Sequence, residues 1–251
     1  MTAPSAIVTG AGSGIGRAVA RALLSAGFGV TLAGRRREPL TETASPEGEL
    51  LPEAHLVPTD VTDAAAVDQL VAAHVARFKR LDVLFNNAGV PGPAANVGEL
   101  DPIDWQSVLA VNVTGAVLCA GAAFRQMQSQ TPQGGRIINN GSIAAQAPRP
   151  RSVAYTTTKH AIAGLTKSIE LDGRAAHITA TQLDIGNVQT ALIDNFVDGG
   201  AVQADGSRRP EPTFDAAHVA DLVVHLSQLP LEVSAPQLTV TAAGMPYIGR
   251  G

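Results

Sequence analysis

Short runs of valine, isoleucine and leucine recur along the chain and alternate with segments whose apolar residues have helical spacing. The runs predict buried strands at residues 6–9, 29–33, 55–57, 83–85, 136–139, 178–183 and 238–241. One helical segment has its apolar residues between positions 67 and 78 and follows an N-cap candidate, Thr62 or Asp63. Because this alternation requires crossover connections, we predict a doubly wound α/β fold, with one parallel sheet of about seven strands and helices on both faces.

Composition excludes several classes of protein. The chain has 251 residues, a net charge of -4 and one cysteine, so it has no disulfide framework or multi-cysteine metal site, and we expect a reducing, cytoplasmic compartment. Mild acidity argues against nucleic acid as a partner. The six histidines show no metal-binding spacing, which predicts no metal site.

Membrane insertion is not expected either. The first predicted strand begins too close to Met1 for a secretory leader. The longest apolar stretch, residues 108–124, is interrupted by Asn112 and Thr114 and is shorter than the roughly 20 residues of a membrane span, so it predicts a buried helix. Only 16% of the residues are charged, below the ~25% typical of soluble domains, which predicts that helix surface packs against either a sheet or another subunit. A homo-oligomer is therefore expected.

A glycine-rich segment joins the first predicted strand to the first helix. Residues 9–16 read Thr-Gly-Ala-Gly-Ser-Gly-Ile-Gly. Glycines allow a tight turn and a close approach to a pyrophosphate, whose charge the helix N-terminus would stabilise. A simple glycine-rich turn is the alternative. With a strand before it and a helix after it, the segment predicts a dinucleotide site formed by Gly10, Ser13, Gly14, Ile15 and Gly16 in a Rossmann-like domain.

Basic residues follow the second predicted strand, where an NAD site would have a carboxylate for the adenosine ribose. Arg35 and Arg36 stand there instead. A guanidinium can pair with a 2′-phosphate in a bidentate manner, which favours NADP over NAD. A solvated basic turn is the alternative, and NAD stays possible.

Polar and small residues end the third and fourth predicted strands. Ligands of doubly wound sheets bind at the carboxyl ends of the strands. We therefore predict that Asp60 accepts from the adenine amine, that Val61 next to it also contacts the cofactor, and that Asn87, Ala88 and Gly89 form a wall beside the ribose.

Four further residues predict proton-transfer chemistry. Tyr155 and Lys159 are four apart and share one face of a helix. An ammonium group beside a phenol stabilises the phenolate and so lowers a pKa that is near 10 in isolation. Ser142 ends the fifth strand and could donate to a substrate oxygen, while Asn112 needs a buried partner, such as a water in a proton relay. A surface contact is the alternative for the Tyr155 and Lys159 pair taken alone.

Together, the glycine segment, Asn86-Asn87-Ala88-Gly89, Asn112, Ser142 and Tyr155-x-x-x-Lys159 resemble the short-chain dehydrogenase/reductase family in its compact single-domain branch. The resemblance covers residues 5–243. It implies that Tyr155 is the general acid/base, that Lys159 tunes it and holds the nicotinamide ribose, that Ser142 orients the carbonyl, and that Asn112 supports the relay. It also implies a dimer or tetramer.

The loop after the sixth strand departs from the family pattern. Gly186, Val188 and Thr190 match the residues that hold the nicotinamide carboxamide, but Ile185 replaces a proline. The resemblance thus keeps these three residues as cofactor contacts, on a less rigid loop. Asp184 and Asn187 would add polar groups near the substrate.

The resemblance implies hydride transfer between NADP(H) and a ketone or secondary alcohol. Candidate substrate contacts are Ala144, Gln146 and Leu192, with a lid at about residues 191–212 and a docking tail at 244–251, all within a single domain of residues 1–251. Arg149 or Arg151 would receive an anionic group, unless they lie in an ordinary solvated loop. A non-catalytic nucleotide-binding regulator or structural subunit is the alternative function. A serine hydrolase using Ser142 is disfavoured because the Gly-x-Ser-x-Gly motif is missing around this serine.

Overall fold

The fold is built on a parallel sheet of seven strands. The computed structural model describes residues 3–189 and 200–248. The strands of the main sheet are β1 (Ser5–Thr9), β2 (Gly29–Gly34), β3 (Ala54–Pro58), β4 (Val83–Asn86), β5 (Gly135–Asn140), β6 (Ile178–Ile185) and β11 (Gln237–Val240). Short strands lie between β6 and β11: β7 (Val188–Gln189), β8 (Ala201–Val202), β9 (Arg208–Arg209) and β10 (Phe214–Asp215). All seven predicted strands are thus confirmed.

Helices cover both faces of this sheet, as the alternating pattern predicts. They are α1 (Gly14–Ser25), α2 (Arg37–Ala44), α3 (Ala64–Phe78), α4 (Pro102–Leu109), α5 (Ala116–Ser129), α6 (Val153–Asp172) and α7 (Ala216–Gln228). Leucines and valines of α1, α2 and α7 pack on one face of the sheet, and those of α3 pack with α5 and α6 on the other. Asp63 caps α3 by accepting hydrogen bonds from the backbone N–H groups of Ala65 and Ala66.

The strand order β11-β6-β5-β4-β1-β2-β3 places the reversal of the winding between β1 and β4. Because every pairing in this sheet is parallel, the carboxyl ends of the strands form one edge. A crevice opens at such a switch point, and ligands of doubly wound sheets bind there. Several predicted site residues closely follow strands at this edge: Gly10, Arg35, Asp60, Asn87, Ser142 and Gly186. Asn112, Tyr155 and Lys159 lie on helices instead.

The segments α4 and α5 run on as one helix through a π-helical turn, Ala110–Gly115. By length and composition alone, the described helix Pro102–Ser129 could cross a membrane. The prediction from residues 108–124 therefore underestimated its length. Cys119, Ala123 and Met127 are buried against the sheet, and burial raises the pKa of the Cys119 thiol to about 12, as expected of a helix packed on a protein core.

The opposite, amino-terminal edge of the sheet holds a buried histidine. His74 is fully buried, its Nδ1 lies 2.8 Å from Thr31 Oγ1, and its Nε2 lies 3.2 Å from Ser5 Oγ. Desolvation lowers the pKa of His74 to about 4, so the folded protein holds this imidazole neutral at pH values where an unfolded chain would protonate it.

Stability should consequently fall with acid through the titration of His74. Between about pH 6.5 and pH 4 the unfolded chain binds more protons, so the free energy of unfolding decreases as pH falls, by about 2–3 kcal/mol from this group. Denaturant unfolding at several pH values measures the slope, and His74→Gln should flatten it. An unchanged slope in that variant would show that other groups cause the acid sensitivity.

Buried Arg136 lies on the same amino-terminal edge. Its Nη2 donates to the backbone oxygens of Pro230 and Val233 at 3.2 and 2.9 Å, just beyond the C-terminus of α7. These bonds satisfy carbonyl groups that follow a helix end and fasten α7 to the sheet.

Candidate active site

The glycine segment turns sharply between β1 and α1. Gly10 and Gly14 have φ values of 65° and 50°, which only glycine adopts without strain. A Cβ on Gly16 would lie 2.2 Å from the Gly10 carbonyl oxygen and 2.6 Å from Asn87 Nδ2. Three glycines are therefore required by the backbone itself, and the first turn of α1 can approach a ligand closely.

Donors at this turn are available for an anion. The Ser13 side chain makes no capping hydrogen bond, and the first N–H groups of a helix have no partner within the helix. The backbone amides around Ser13, Gly14, Ile15 and Gly16 thus suit the pyrophosphate of a dinucleotide.

Asn87 and Thr9 join the ends of β4 and β1. Thr9 Oγ1 accepts from the backbone N–H groups of Asn87 and Ala88 at 2.9 and 3.0 Å, and Asn87 Nδ2 donates to the Thr9 carbonyl at 2.9 Å. Gly89 follows and is exposed. This clamp holds the predicted ribose wall in place next to the glycine segment.

Arg35 and Arg36 follow β2 and are exposed. Asp60 Oδ1 accepts from the backbone N–H and the hydroxyl of Thr62 at 3.0 and 2.8 Å. These hydrogen bonds, with a smaller contribution from the nearby Arg35 guanidinium, lower the pKa of Asp60, so the carboxylate is ionised and can accept a hydrogen bond. Val61 is buried against the π-helical turn, where a Cβ on Gly115 would lie 2.7 Å from its Cγ2.

Ser142 follows β5 and its side chain is oriented by two neighbours. Its backbone N–H donates to Asp184 Oδ1 at 3.0 Å, and its Oγ accepts from the Ala144 N–H at 3.1 Å. Since a hydroxyl has one hydrogen to donate, this arrangement leaves the Ser142 hydrogen for a substrate oxygen.

Tyr155 and Lys159 share the inner face of α6. Lys159 is 8% exposed, its Nζ lies 5.5 Å from the centroid of the Tyr155 ring, and it donates to the Asn140 carbonyl at 2.6 Å. The ammonium has three N–H donors. The hydrogen bond to Asn140 uses one of them and leaves two, which can point toward Tyr155 and toward a hydroxyl of a ligand. Tyr155 itself is half-buried.

Asn112 lies within the π-helical turn and is 4% exposed. Its amide bonds to both backbone groups of Val90 at 2.8 Å and donates to Thr158 Oγ1 at 3.2 Å. Asn112 therefore has the buried hydrogen-bond partners that the sequence predicts, and these include protein groups. A π turn shifts the helical hydrogen-bond register by one residue, which is common at functional sites.

The loop after β6 contacts β11 and the segment that follows it. Gly186 donates its N–H to the Val240 carbonyl at 2.9 Å, and a Cβ on it would lie 3.0 Å from Met245 Sδ. Val188 is buried and pairs with Phe214 through β7 and β10. Thr190 lies outside the described residues.

The predicted polar groups of this loop, Asp184 and Asn187, are engaged by protein. Asp184 is fully buried, and its carboxylate accepts hydrogen bonds from protein N–H groups. Asn187 bonds to Arg149 and Glu211 at 2.7 and 2.9 Å.

On the substrate side, Ala144 is buried in a 3-10 turn that follows Ser142, while Gln146 is exposed. Leu192 and the rest of residues 190–199 lie outside the described residues. The remainder of the segment named as a lid is a small hairpin of β8 and β9.

Both arginines of this loop pair with carboxylates of the protein, and Arg151 is exposed, as a solvated loop predicts. Arg149 Nη2 lies 2.6 Å from Glu211 Oε2, and Arg151 Nη2 lies 2.6 Å from Glu99 Oε2. Burial opposes ionisation of Glu211, but hydrogen bonds from Gln203 and Asn187 and the Arg149 charge lower its pKa. Arg149 is thus a structural anchor for the segment after the hairpin.

Comparisons with known proteins agree with this geometry. A family model described as short chain dehydrogenase matches residues 4–199. The chain belongs to the short-chain dehydrogenase/reductase family. Among the relatives of this short-chain dehydrogenase/reductase is sulfoacetaldehyde reductase 2 of Chromohalobacter salexigens, 32% identical over 237 residues that span 93% of this chain and 92% of the relative.

Solved structures share the fold of this short-chain dehydrogenase/reductase. The 3-ketoacyl-(acyl-carrier-protein) reductase of Brucella melitensis, complexed with NADH, has a TM-score of 0.82 at 24% identity, over 97% of this chain and 98% of that one. ElxO with NADP bound has a TM-score of 0.84 at 24% identity, over 99% and 100%. Both confirm the single Rossmann-like domain.

Two residues of the site, Asn140 and Thr158, were missed from sequence, and so was the contact of Asp184 with Ser142. Asn140 accepts from Lys159 and donates to Asn87 Oδ1 at 2.8 Å, Thr158 accepts from Asn112, and Asp184 holds Ser142. Asn140 and Thr158 are neighbours of motif residues, so their positions alone could have suggested them. The fully buried Asp184 gives a clearer signal, because a carboxylate at the end of a predicted buried strand requires donors.

Proposed function

We propose that this short-chain dehydrogenase/reductase transfers a hydride between NADP(H) and a ketone or secondary alcohol, with Tyr155 as general acid/base. The observation that carries the proposal is the grouping of Ser142, Tyr155 and Lys159 at the sheet edge that also presents the glycine segment. The sulfoacetaldehyde reductase relative, by its name, reduces a carbonyl compound, which supports this class of reaction.

The chain's residues fit a dinucleotide. The close approach at Gly16, the free amides of α1 and the clamped wall at Asn87 and Ala88 offer room and donors to a pyrophosphate and a ribose. Gly186 and Val188, with Thr190, would hold the carboxamide. When bound, the nicotinamide would supply or accept the hydride.

Proton transfer then falls to the protein. The Ser142 hydroxyl donates to the carbonyl oxygen and places it beside Tyr155. Tyr155 gives its phenolic proton to that oxygen as the carbon accepts the hydride, which yields the alcohol, and the reverse steps oxidise an alcohol. Lys159 stabilises the resulting phenolate because its buried ammonium lies beside the ring. Asn112 keeps the loop after β4 against α6 through Val90 and Thr158.

The preference for NADP depends on Arg35, with Arg36 next to it. A charge-assisted pair with a 2′-phosphate contributes about 1.5–3 kcal/mol, so Arg35→Asp should weaken NADPH binding by roughly 10–100-fold and leave NADH binding unchanged or stronger. Fluorescence titration measures both affinities. Arg174→Asp makes the same charge change at an exposed residue beyond α6 and should alter neither. Unchanged NADPH affinity in the Arg35 variant would remove the basis for the preference.

The function itself is tested by initial rates of NADPH and NADH oxidation with small, aromatic, cyclic and acyl ketones. We expect turnover with NADPH. Turnover with NADH alone would keep the mechanism and contradict the role of Arg35. Saturable cofactor binding without turnover of any ketone would favour the non-catalytic alternative.

Two sequence predictions accompany this proposal. We propose a homo-oligomer, dimer or tetramer, in the cytoplasm. The exposure of the large apolar side chains of Ile103 and Val117 on α4 and α5, at 73% and 45%, supports burial of this helical surface against another subunit.

A further inference from the structure

Asp184 is a fully buried carboxylate near the end of β6. Four N–H groups donate to it: the backbone amide of Ser142 at 3.0 Å, and side-chain amides at 2.7–2.9 Å, which belong to Gln146, Gln182 and Gln237. The donors come from the turn after β5, from β6 itself and from β11. One side chain therefore joins three segments around the candidate active site.

No cation accompanies this carboxylate among the residues that the structure describes, since none of their Lys, Arg or His nitrogens forms an ion pair with it. Burial of a charge is costly unless hydrogen bonds replace the lost water. Here neutral amides do so. A buried carboxylate of this kind adds little to stability compared with an apolar residue. Its position next to Ser142 therefore points to a role in orienting Ser142.

The sequence makes room for the contact with Ser142. A Cβ on Gly141 would lie 2.3 Å from Asp184 Oδ1, so only glycine at this position lets the carboxylate reach the next backbone amide. Ser142 is thus held from two sides, at its N–H by Asp184 and at its Oγ by the Ala144 N–H.

A second set of contacts involves the segment after β11. Gln146 donates to Asp184 Oδ2 and accepts from the Tyr247 hydroxyl. Met245 is buried with Ile143, the neighbour of Ser142. The described part of the predicted tail, residues 244–248, is consequently linked to Ser142 through Tyr247, Gln146 and Asp184.

We propose that Asp184 is a positioning residue whose carboxylate fixes Ser142 and makes the placement of Ser142 depend on the docked tail. The inference rests on the proposed function, because it assumes that Ser142 orients a substrate carbonyl. Asp184 acts through Ser142 and does not touch the substrate itself.

Two variants test this proposal with the most active ketone of the panel. Asp184→Asn keeps the shape and removes the charge, and Tyr247→Phe removes one hydroxyl from the tail. We expect kcat to fall by roughly tenfold or more in the first and threefold or more in the second, with the Kd of NADPH within about twofold of wild type. Asp221→Asn, an exposed position on α7, is the matched control and should keep wild-type kcat.

Hydrogen–deuterium exchange gives a readout that needs neither turnover nor cofactor. In a peptide covering residues 141–147, the Ser142 amide should exchange at least about fivefold faster in Tyr247→Phe than in wild type. Since the variant lacks only one oxygen at a half-buried tail residue, it should remain folded even if Asp184→Asn does not.

The outcomes separate the two proposals. Wild-type kcat together with wild-type exchange in Tyr247→Phe would overturn the tail dependence, and wild-type kcat in Asp184→Asn would overturn the positioning role. If wild type reduces no ketone, the proposed function fails, and faster exchange in Tyr247→Phe would still support the link from the tail to Ser142.

Discussion

Replacement of Tyr155 by phenylalanine should reduce kcat for ketone reduction by roughly 10²–10⁴-fold, the range that general acid catalysis contributes. The variant keeps the ring that lies 5.5 Å from Lys159 Nζ and loses only the hydroxyl that donates the proton. Cofactor affinity should therefore stay within about twofold of wild type. Steady-state rates with NADPH and a fluorescence titration of the same protein measure the two quantities.

A variant that retains more than about a tenth of the wild-type kcat would show that Tyr155 is not the proton donor. Loss of NADPH binding in parallel with activity would indicate a different role, in which the hydroxyl chiefly holds the cofactor. The combination of low kcat and intact binding is specific to the proposed chemistry.

Gly16→Ala should weaken cofactor binding and destabilise the fold. The added Cβ would lie 2.2 Å from the Gly10 carbonyl oxygen, a backbone atom that cannot move without displacing the turn itself. Overpacking of this kind costs about 1–3 kcal/mol, and NADPH affinity should fall by roughly tenfold or more because the amides of α1 would no longer converge. Thermal unfolding measures the loss of stability, and an NADPH titration measures the loss of affinity.

Gly164→Ala is the matched control for that experiment. Gly164 lies within α6, and a Cβ on it would meet nothing within 4 Å. Removal of a glycine from a helix interior stabilises by about 0.5–1 kcal/mol, so this variant should unfold at a higher temperature and bind NADPH normally. If both variants had the same unfolding temperature and the same NADPH affinity, the close contact at Gly16 would affect neither stability nor cofactor binding.

The sequence predicts the architecture well because each element carries its own local signal. Apolar runs mark all seven strands of the sheet, and Asp63 caps α3 as one of the two predicted candidates. Site residues that follow strand ends are predictable for the same reason, since parallel strands bring their carboxyl ends together.

Features that depend on distant neighbours were not predictable. The π-helical turn that contains Asn112 has no local sequence signal, and the partners of its amide, Val90 and Thr158, are 22 and 46 residues away. The ion pair of Arg149 with Glu211 likewise spans 62 positions. Patterns along the chain report periodicity, whereas these contacts depend on how separate elements pack.

The amino-terminal edge of the sheet, where His74 bonds to Ser5 and Thr31 and Arg136 holds the end of α7, lies at the opposite ends of the strands from the candidate chemistry. Stabilising substitutions often reduce activity when they stiffen a site that must move. In this chain the two requirements occupy separate edges of one sheet. An engineer could therefore raise the melting temperature through the neighbours of His74 and Arg136 and leave the catalytic edge, with its substrate range, open to independent redesign.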